Sequence, residues 1–274
     1  MSSLSRYSAF FGVFASVWLV PASLQAAITW GSAMNITGDT DISTIGDLEY
    51  AYRFEATTGA TGDITVNGVT FTSISGSGSV SSSYVRVETD TIFTFSPMNV
   101  SPVLSTNHQF GNGRSVGVVE SPTMTSSYIN FLGGYIFAGG ANVPGTVTGR
   151  RNGYTLTLNG LEIGKEYSVQ VWFNDSRAGT SVRQGVIQGG PTIDYNTSAN
   201  TGTSGGQGGL GQYAVGTFVA TGTTEDVVFL GFANDGVGAQ LNGFQLRAIP
   251  EPASLMLAGL GAIAMGFRRG RLDA

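Results

Sequence analysis

The sequence has no cysteine, a single histidine and little charge, with 11% of its 274 residues Asp, Glu, Lys or Arg. Each shortage excludes something. Without cysteine there is neither a disulfide framework nor a thiolate metal site. His108 has no second nitrogen or sulfur ligand beside it, so a histidine-based zinc site within one chain is excluded. A Ser-His-Asp triad would have to use His108, and no Gly-x-Ser-x-Gly elbow accompanies it. Asn107-His108-Gln109 reads instead as a polar turn. Basic residues are also scarce where they would matter. Four of the 13 lie outside residues 27–250, against two of the 18 acids, so the body carries 9 bases and 16 acids. Phosphate neutralisation needs a basic surface, and no nucleic-acid partner is expected. Glycine is abundant, at 41 residues, which with the low charge rules out a long-helix protein. Glycine density also explains near-matches to phosphate loops: Gly205 to Gly211 lacks a following Lys-Ser/Thr and opens a strand.

The two ends have their own composition. Arg6, the apolar run Ala9 to Val20, Pro21 and a small-residue segment ending at Ala26 form an export signal, with cleavage expected after Ala26. Twelve apolar residues are too few for a stable membrane helix. At the other end stand Pro250-Glu251-Pro252, an apolar run from Leu255 to Phe267, and then Arg268, Arg269 and Arg271. Thirteen residues at about 1.5 Å each cover roughly 20 Å, short of the ~30 Å hydrocarbon core. This suits a transient membrane segment. Arginines behind the run would stay cytoplasmic, which leaves the body outside.

These three parts, in this order, resemble the PEP-CTERM sorting signal of Gram-negative bacteria, which the intramembrane enzyme exosortase reads. The resemblance covers under a tenth of the chain and assigns the motif to Pro250, Glu251, Pro252, Arg268, Arg269 and Arg271. It implies an exosortase-type partner, transient contact with the inner membrane through a C-terminal sorting helix, removal of the tail, and delivery to the cell surface or an extracellular polysaccharide matrix. The division expected is therefore a signal peptide over 1–26, one domain over 27–249 and a sorting signal over 250–274.

Between the ends, hydrophobicity alternates with period 2. Leu48, Tyr50, Tyr52 and Phe54 alternate with Glu49, Ala51, Arg53 and Glu55, predicting a strand with one wet face. Tyr154-Leu156-Leu158 and Tyr167-Val169-Val171-Phe173 repeat the pattern. Tyr213 to Val219, Val227 to Phe232 and Gln240 to Arg247 read as further strands. Asn67-Gly68, between Ile64–Val66 and Val69–Phe71, predicts a hairpin, because a type I′ turn needs positive φ at both central residues. A helix is predicted over Pro122 to Leu132, with Ser121 as N-cap and Gly133-Gly134 as stop. The glycine-rich stretch Gly189 to Gly211 is either filler or a ligand loop. The expected fold is all-β, an antiparallel β-sandwich with at most one or two short helices. The second half resembles the galactose-binding-like jelly rolls of bacterial surface proteins through Leu156–Leu161, Tyr167–Phe173, Gly211–Phe218 and Leu241–Arg247. That resemblance implies a jelly-roll sandwich and carbohydrate binding.

Sugar recognition needs an exposed ring with planar polar groups nearby. Trp172, out of phase with its apolar neighbours, with Asn174, Asp175 and Arg177 after it, is the candidate ligand site. The competing reading packs Trp172 inside and pairs Asp175 with Arg177 or Arg183. No catalytic residue and no cofactor are expected. Asp39-Thr40-Asp41 and Asn234-Asp235-Gly236 are oxygen-rich turns that could hold calcium, or simply Asx turns. The function expected is an exported surface or matrix protein, non-enzymatic, with extracellular polysaccharide as its candidate partner. A purely structural or adhesive coat component and, more weakly, a polysaccharide hydrolase using two carboxylates are the alternatives.

Overall fold

The computed structural model describes residues 27–55, 61–74, 79–80, 84–86, 93–97, 108–112, 124–138, 150–175, 184–188, 192–197, 209–232 and 239–250. The first strands are β1 (Thr29–Trp30), β2 (Met34–Asn35), β3 (Asp47–Phe54), β4 (Ile64–Val66) and β5 (Val69–Ile74). Then come β6 (Ser79–Val80), β7 (Tyr84–Arg86), β8 (Phe93–Pro97), β9 (His108–Asn112), the helix α1 (Ser126–Leu132) and β10 (Gly134–Ala138). The second half holds β11 (Arg150–Asn159), β12 (Glu166–Phe173), β13 (Gln184–Gln188), β14 (Ile193–Asn196), β15 (Gln212–Val219), β16 (Thr224–Phe232), β17 (Gln240–Leu241) and β18 (Gly243–Ile249). The all-β expectation holds.

Three sheets form. The largest runs β1-β15-β12-β18-β3-β5-β4, with β2 also on β15; a six-stranded sheet runs β14-β13-β16-β11-β8-β7; a four-stranded one runs β17-β10-β9-β6. Among the described residues every pairing is antiparallel except β3 with β5. That exception follows from the Asn67-Gly68 hairpin. It lays β5, not β4, beside β3, so two strands travelling the same way become neighbours. The turn itself is as the sequence predicts, with Val66 opposite Val69 and φ of 48° and 74° at Asn67 and Gly68.

One apolar cluster draws from facing sides of the large and six-stranded sheets. Tyr167, Val169, Val171, Phe173, Phe244, Leu246, Tyr52 and Phe54 come from the first, and Leu156, Leu158, Ile187, Val227 and Phe229 from the second. A second cluster lies on the opposite face of the large sheet. Trp172 and Ala51 from that face meet Tyr128, Phe131 and Leu132 of α1, and Ile64, Val66, Val69 and Phe71 of the hairpin. The large sheet is thus covered on both faces, and this layer was not legible in the alternation.

The helix starts later than predicted. Its N-cap is Thr125, whose hydroxyl accepts from the Tyr128 amide at 3.3 Å, while Gly133 caps the other end. The Thr125 amide in turn donates to Asp39 Oδ1 at 2.8 Å, which fixes the entry of the chain. Ser121 and Pro122 lie outside the described residues. His108 opens strand β9 rather than forming a polar turn. Within the glycine-rich stretch, β14 pairs with β13, and Tyr195 stacks on Phe173 at 3.7 Å between ring centroids, so this portion is scaffold. Gln240 to Arg247 is two strands, because Asn242 interrupts the ladder between β17 and β18.

Candidate functional site

Strand β12 occupies the middle of the large sheet between β15 and β18. Its odd-numbered residues enter the shared core, which aims Gln170 and Trp172 at the other face. The sequence reading offered Trp172 on that face either as an exposed ligand-stacking ring or as a packed one. In the structure Trp172 has no exposed surface. Its indole meets Phe71 edge-on at 5.6 Å and Phe131 at 5.2 Å, and Nε1 donates to the Tyr128 hydroxyl at 3.1 Å. The expectation of an exposed stacking ring is corrected. A Trp at mid-sheet buries the most apolar area of any side chain, and α1 with the β4–β5 hairpin supplies the cover.

Asn174 and Asp175 are also buried. The Asn174 amide donates to Asn242 Oδ1, its Nδ2 donates to Gly209 O at 3.1 Å, and its carbonyl accepts from Gln240 Nε2 and from Asn242 Nδ2. The Asp175 amide donates to Thr197 O at 2.8 Å. The Asn174 side chain and the Asp175 backbone therefore hold the chain together where β12 ends. Arg177 and Arg183 lie outside the described residues.

Asn242 is the centre of this arrangement, and no local pattern singles it out. Its amide donates to Trp172 O at 2.9 Å, and its carbonyl accepts from Phe54 N at 3.0 Å. Its Nδ2 donates to Leu132 O at 2.8 Å and Gly134 O at 2.9 Å. One fully buried amide side chain thereby joins α1, β10, β12 and β18. Buried polar groups of this kind are tolerated only when satisfied.

A second polar group covers the neighbouring part of the same face. Gln170 and Gln245 sit opposite each other on β12 and β18, and Gln245 Nε2 donates to Gln170 Oε1 at 2.7 Å. Gln170 Oε1 also accepts from Ser43 N at 3.0 Å, Gln170 Nε2 donates to Asp41 O at 2.6 Å, and Gln245 Nε2 donates to Ser43 O at 3.0 Å. Arg247 Nη1 donates to Gly46 O at 2.7 Å, and burial lowers its pKa. These side chains form a strip that replaces water for the loop Asp41–Gly46. Sequence reasoning missed them because their pairing joins positions 75 apart in the chain.

Arg53 departs most from the predicted wet face. It is fully buried, with Nε donating to Gly62 O at 3.1 Å and Ser73 Oγ at 3.0 Å, Nη1 to Asn130 O at 3.2 Å and Nη2 to Gly62 O at 2.9 Å. Glu55 lies 4.0 Å away. Burial lowers the Arg53 pKa, and the charges of Glu55 and Asp63 oppose that shift.

The calcium candidate Asp39-Thr40-Asp41 is a 3-10 turn. Asp41 Oδ2 accepts from Thr37 N at 2.6 Å and Gly38 N at 2.9 Å, and Oδ1 from the Thr37 hydroxyl at 2.8 Å. The carboxylates are engaged in capping, which is the Asx-turn alternative. Asn234, Asp235 and Gly236 lie outside the described residues. Among the described residues no group of three His, Asp or Glu side chains is placed to hold a metal.

Strand β18 ends at Ile249, and Pro250 is exposed as the chain leaves the sheet. Residues 248–271 match the family model of the PEP-CTERM protein-sorting motif. The chain carries a PEP-CTERM sorting signal. The match spans Pro250, Glu251, Pro252, Arg268, Arg269 and Arg271, and all but Pro250 of these lie outside the described residues. No curated protein matches the chain. The PEP-CTERM signal implies an exported protein processed by exosortase. Its first two residues, Ala248 and Ile249, are still strand: Ala248 pairs with Tyr167 and Asp47. The signal is therefore attached without a linker to a central strand. No helix among the described residues is long and apolar enough to cross a membrane, and Leu255 to Phe267 lies outside them.

Proposed function

We propose that the body, once delivered by the exosortase route, is a non-enzymatic structural or adhesive component of the cell surface or of an extracellular polysaccharide matrix. The observation that carries this reading is the use of Trp172, Asn174 and Asp175. The ring and the polar groups best suited to hold a small sugar are instead spent on internal packing and hydrogen bonds. Polysaccharide enters as the surrounding medium rather than as the ligand of a Trp172 site. The Asp41 carboxylate, which serves turn geometry, supports a scaffold role in the same way.

The test is made on cells. Protein released from the surface should begin near Ala27 and end close to Pro250 by intact mass, and should co-sediment with extracellular polysaccharide without saturable binding of short oligosaccharides. Recovery of chain ending at Ala274 beside an active exosortase would contradict the delivery route. Release of reducing ends from matrix polysaccharide would contradict the non-enzymatic reading.

A further inference from the structure

Both chain segments with membrane character are joined to one end of the large sheet. Strand β18 runs antiparallel to β12, which runs antiparallel to β15, so Ile249 and Val219 both face Glu166, the first residue of β12. Pro250 leaves from that end. Strand β1 enters there too, with Thr29 opposite Thr217, two residues short of Val219. The apolar run ending at Val20 lies seven residues before Ala27, and the one starting at Leu255 lies five after Pro250. Fully extended, those connections reach about 25 Å and about 17 Å.

The same end carries most of the exposed apolar surface. Of the five exposed large apolar side chains among the described residues, Ile45, Leu48, Ile163 and Val219 are here, and Met34 stands at the opposite end beside Tyr213. Leu48 pairs with Arg247 on β18. Ile45 precedes Gly46, which lies against Ala248 O. Ile163 projects from the turn closed by Gly164 N to Ala220 O at 2.8 Å. Ile45 is 74% exposed and Ile163 66%, which is unusual for isoleucine and coincides with the points where the tethers leave.

We propose that this end of the large sheet docks on the lipid interface while the PEP-CTERM tail is membrane-inserted, with Ile45, Leu48, Ile163 and Val219 entering the headgroup region. The occupant is argued from the tether. A five-residue connection confines this end to the membrane surface and leaves no room for a folded protein between them. Asp47, Glu49, Glu162 and Glu166 at the rim, against Lys165, fit a zwitterionic surface better than an anionic one. The docking holds the Pro250–Pro252 segment at the interface, where an intramembrane enzyme acts. This inference rests on the sorting-signal reading.

Because the chain lacks cysteine, single labels are specific. Full-length protein carrying Ile45→Cys, Ile163→Cys or Met34→Cys, each with an environment-sensitive fluorophore, is incorporated into phosphatidylcholine vesicles containing headgroup-level spin-labelled lipid. In vesicles that float on a density gradient, labels at 45 and 163 should be quenched several-fold more than the label at 34. Adding Leu48→Asp and Val219→Asp should bring them down toward the level at 34. Equal quenching at all three positions in floating vesicles overturns the docking and leaves the sorting signal standing. Failure of the full chain to float overturns the docking together with the membrane insertion of the tail on which it rests.

Discussion

The indole Nε1 of Trp172 donates to the hydroxyl of Tyr128 at 3.1 Å, with both side chains fully buried on the face of the large sheet away from the main core. This one contact links the middle of β12 to α1. It also converts the residue most suited to ligand stacking into the anchor of the second apolar cluster.

Trp172→Ala is therefore expected to cost about 3–5 kcal/mol, the range for truncating a buried large aromatic. Tyr128→Phe removes only the acceptor and leaves Nε1 unsatisfied, for about 1–3 kcal/mol. Urea unfolding followed by far-ultraviolet circular dichroism measures both. A Trp172→Ala loss below 1 kcal/mol would show that the helix does not cover the sheet.

Arg53→Met should separate charge from packing. The guanidinium is the donor for Gly62 O, Asn130 O and Ser73 Oγ, so its removal breaks a part-buried network that joins β3 to the residues around Gly62 and to α1. A loss of about 2–4 kcal/mol is expected, since breaking a buried charged network costs more than a surface pair. Lys165→Met, which breaks the exposed 3.0 Å pair with Glu49, should cost under about 1 kcal/mol. Similar losses for the two substitutions would contradict the burial of Arg53.

Glu225 points the other way. It faces inward on β16 with 4% exposure, and burial, with the nearby Asp226 charge, pushes its carboxyl up to about 7 from 4.5. Between those two values the folded chain holds a proton that the unfolded chain has released. Stability from this group is thus fully present below about 4.5 and is lost as pH rises through about 7, by up to roughly 3 kcal/mol at 1.4 kcal/mol per unit. Glu225→Gln should abolish that slope and be the more stable protein at pH 8. Parallel stability curves for the two proteins from pH 4.5 to 8 would refute the assignment.

Asn242→Ala should loosen several elements at once. Its side chain satisfies Leu132 O, Gly134 O and the Asn174 amide, so the expected loss is about 3 kcal/mol or more. Hydrogen exchange should rise together at α1 and at the end of β12. Faster exchange confined to β17 would argue against a shared junction.

Strand identity and the sorting signal could be read from the sequence because both are local. Period-2 alternation marks Tyr167 to Phe173 without knowledge of any partner, and a type I′ turn is written in Asn67-Gly68 alone. Pro250-Glu251-Pro252, the apolar run and the arginines are likewise contiguous. Composition settled the absence of a disulfide framework in the same way.

Which face of each strand met water depended on elements far away in sequence. Alternation shows that Trp172, Gln170 and Arg53 point away from the main core, but not whether something covers them. The cover comes from residues 36–46, 64–71 and 124–132, packed across from strands up to two hundred positions later. Burial then changed the chemistry. Gln245 and Arg247 became hydrogen-bond donors to a loop, Arg53 became an internal cation, and Trp172 lost its access to a ligand. Local pattern determined the strands and the delivery signal, because backbone geometry and signal recognition act on neighbouring residues. Only the tertiary structure decided what each outward-facing side chain does, because desolvation and hydrogen bonding depend on what the rest of the chain places on top.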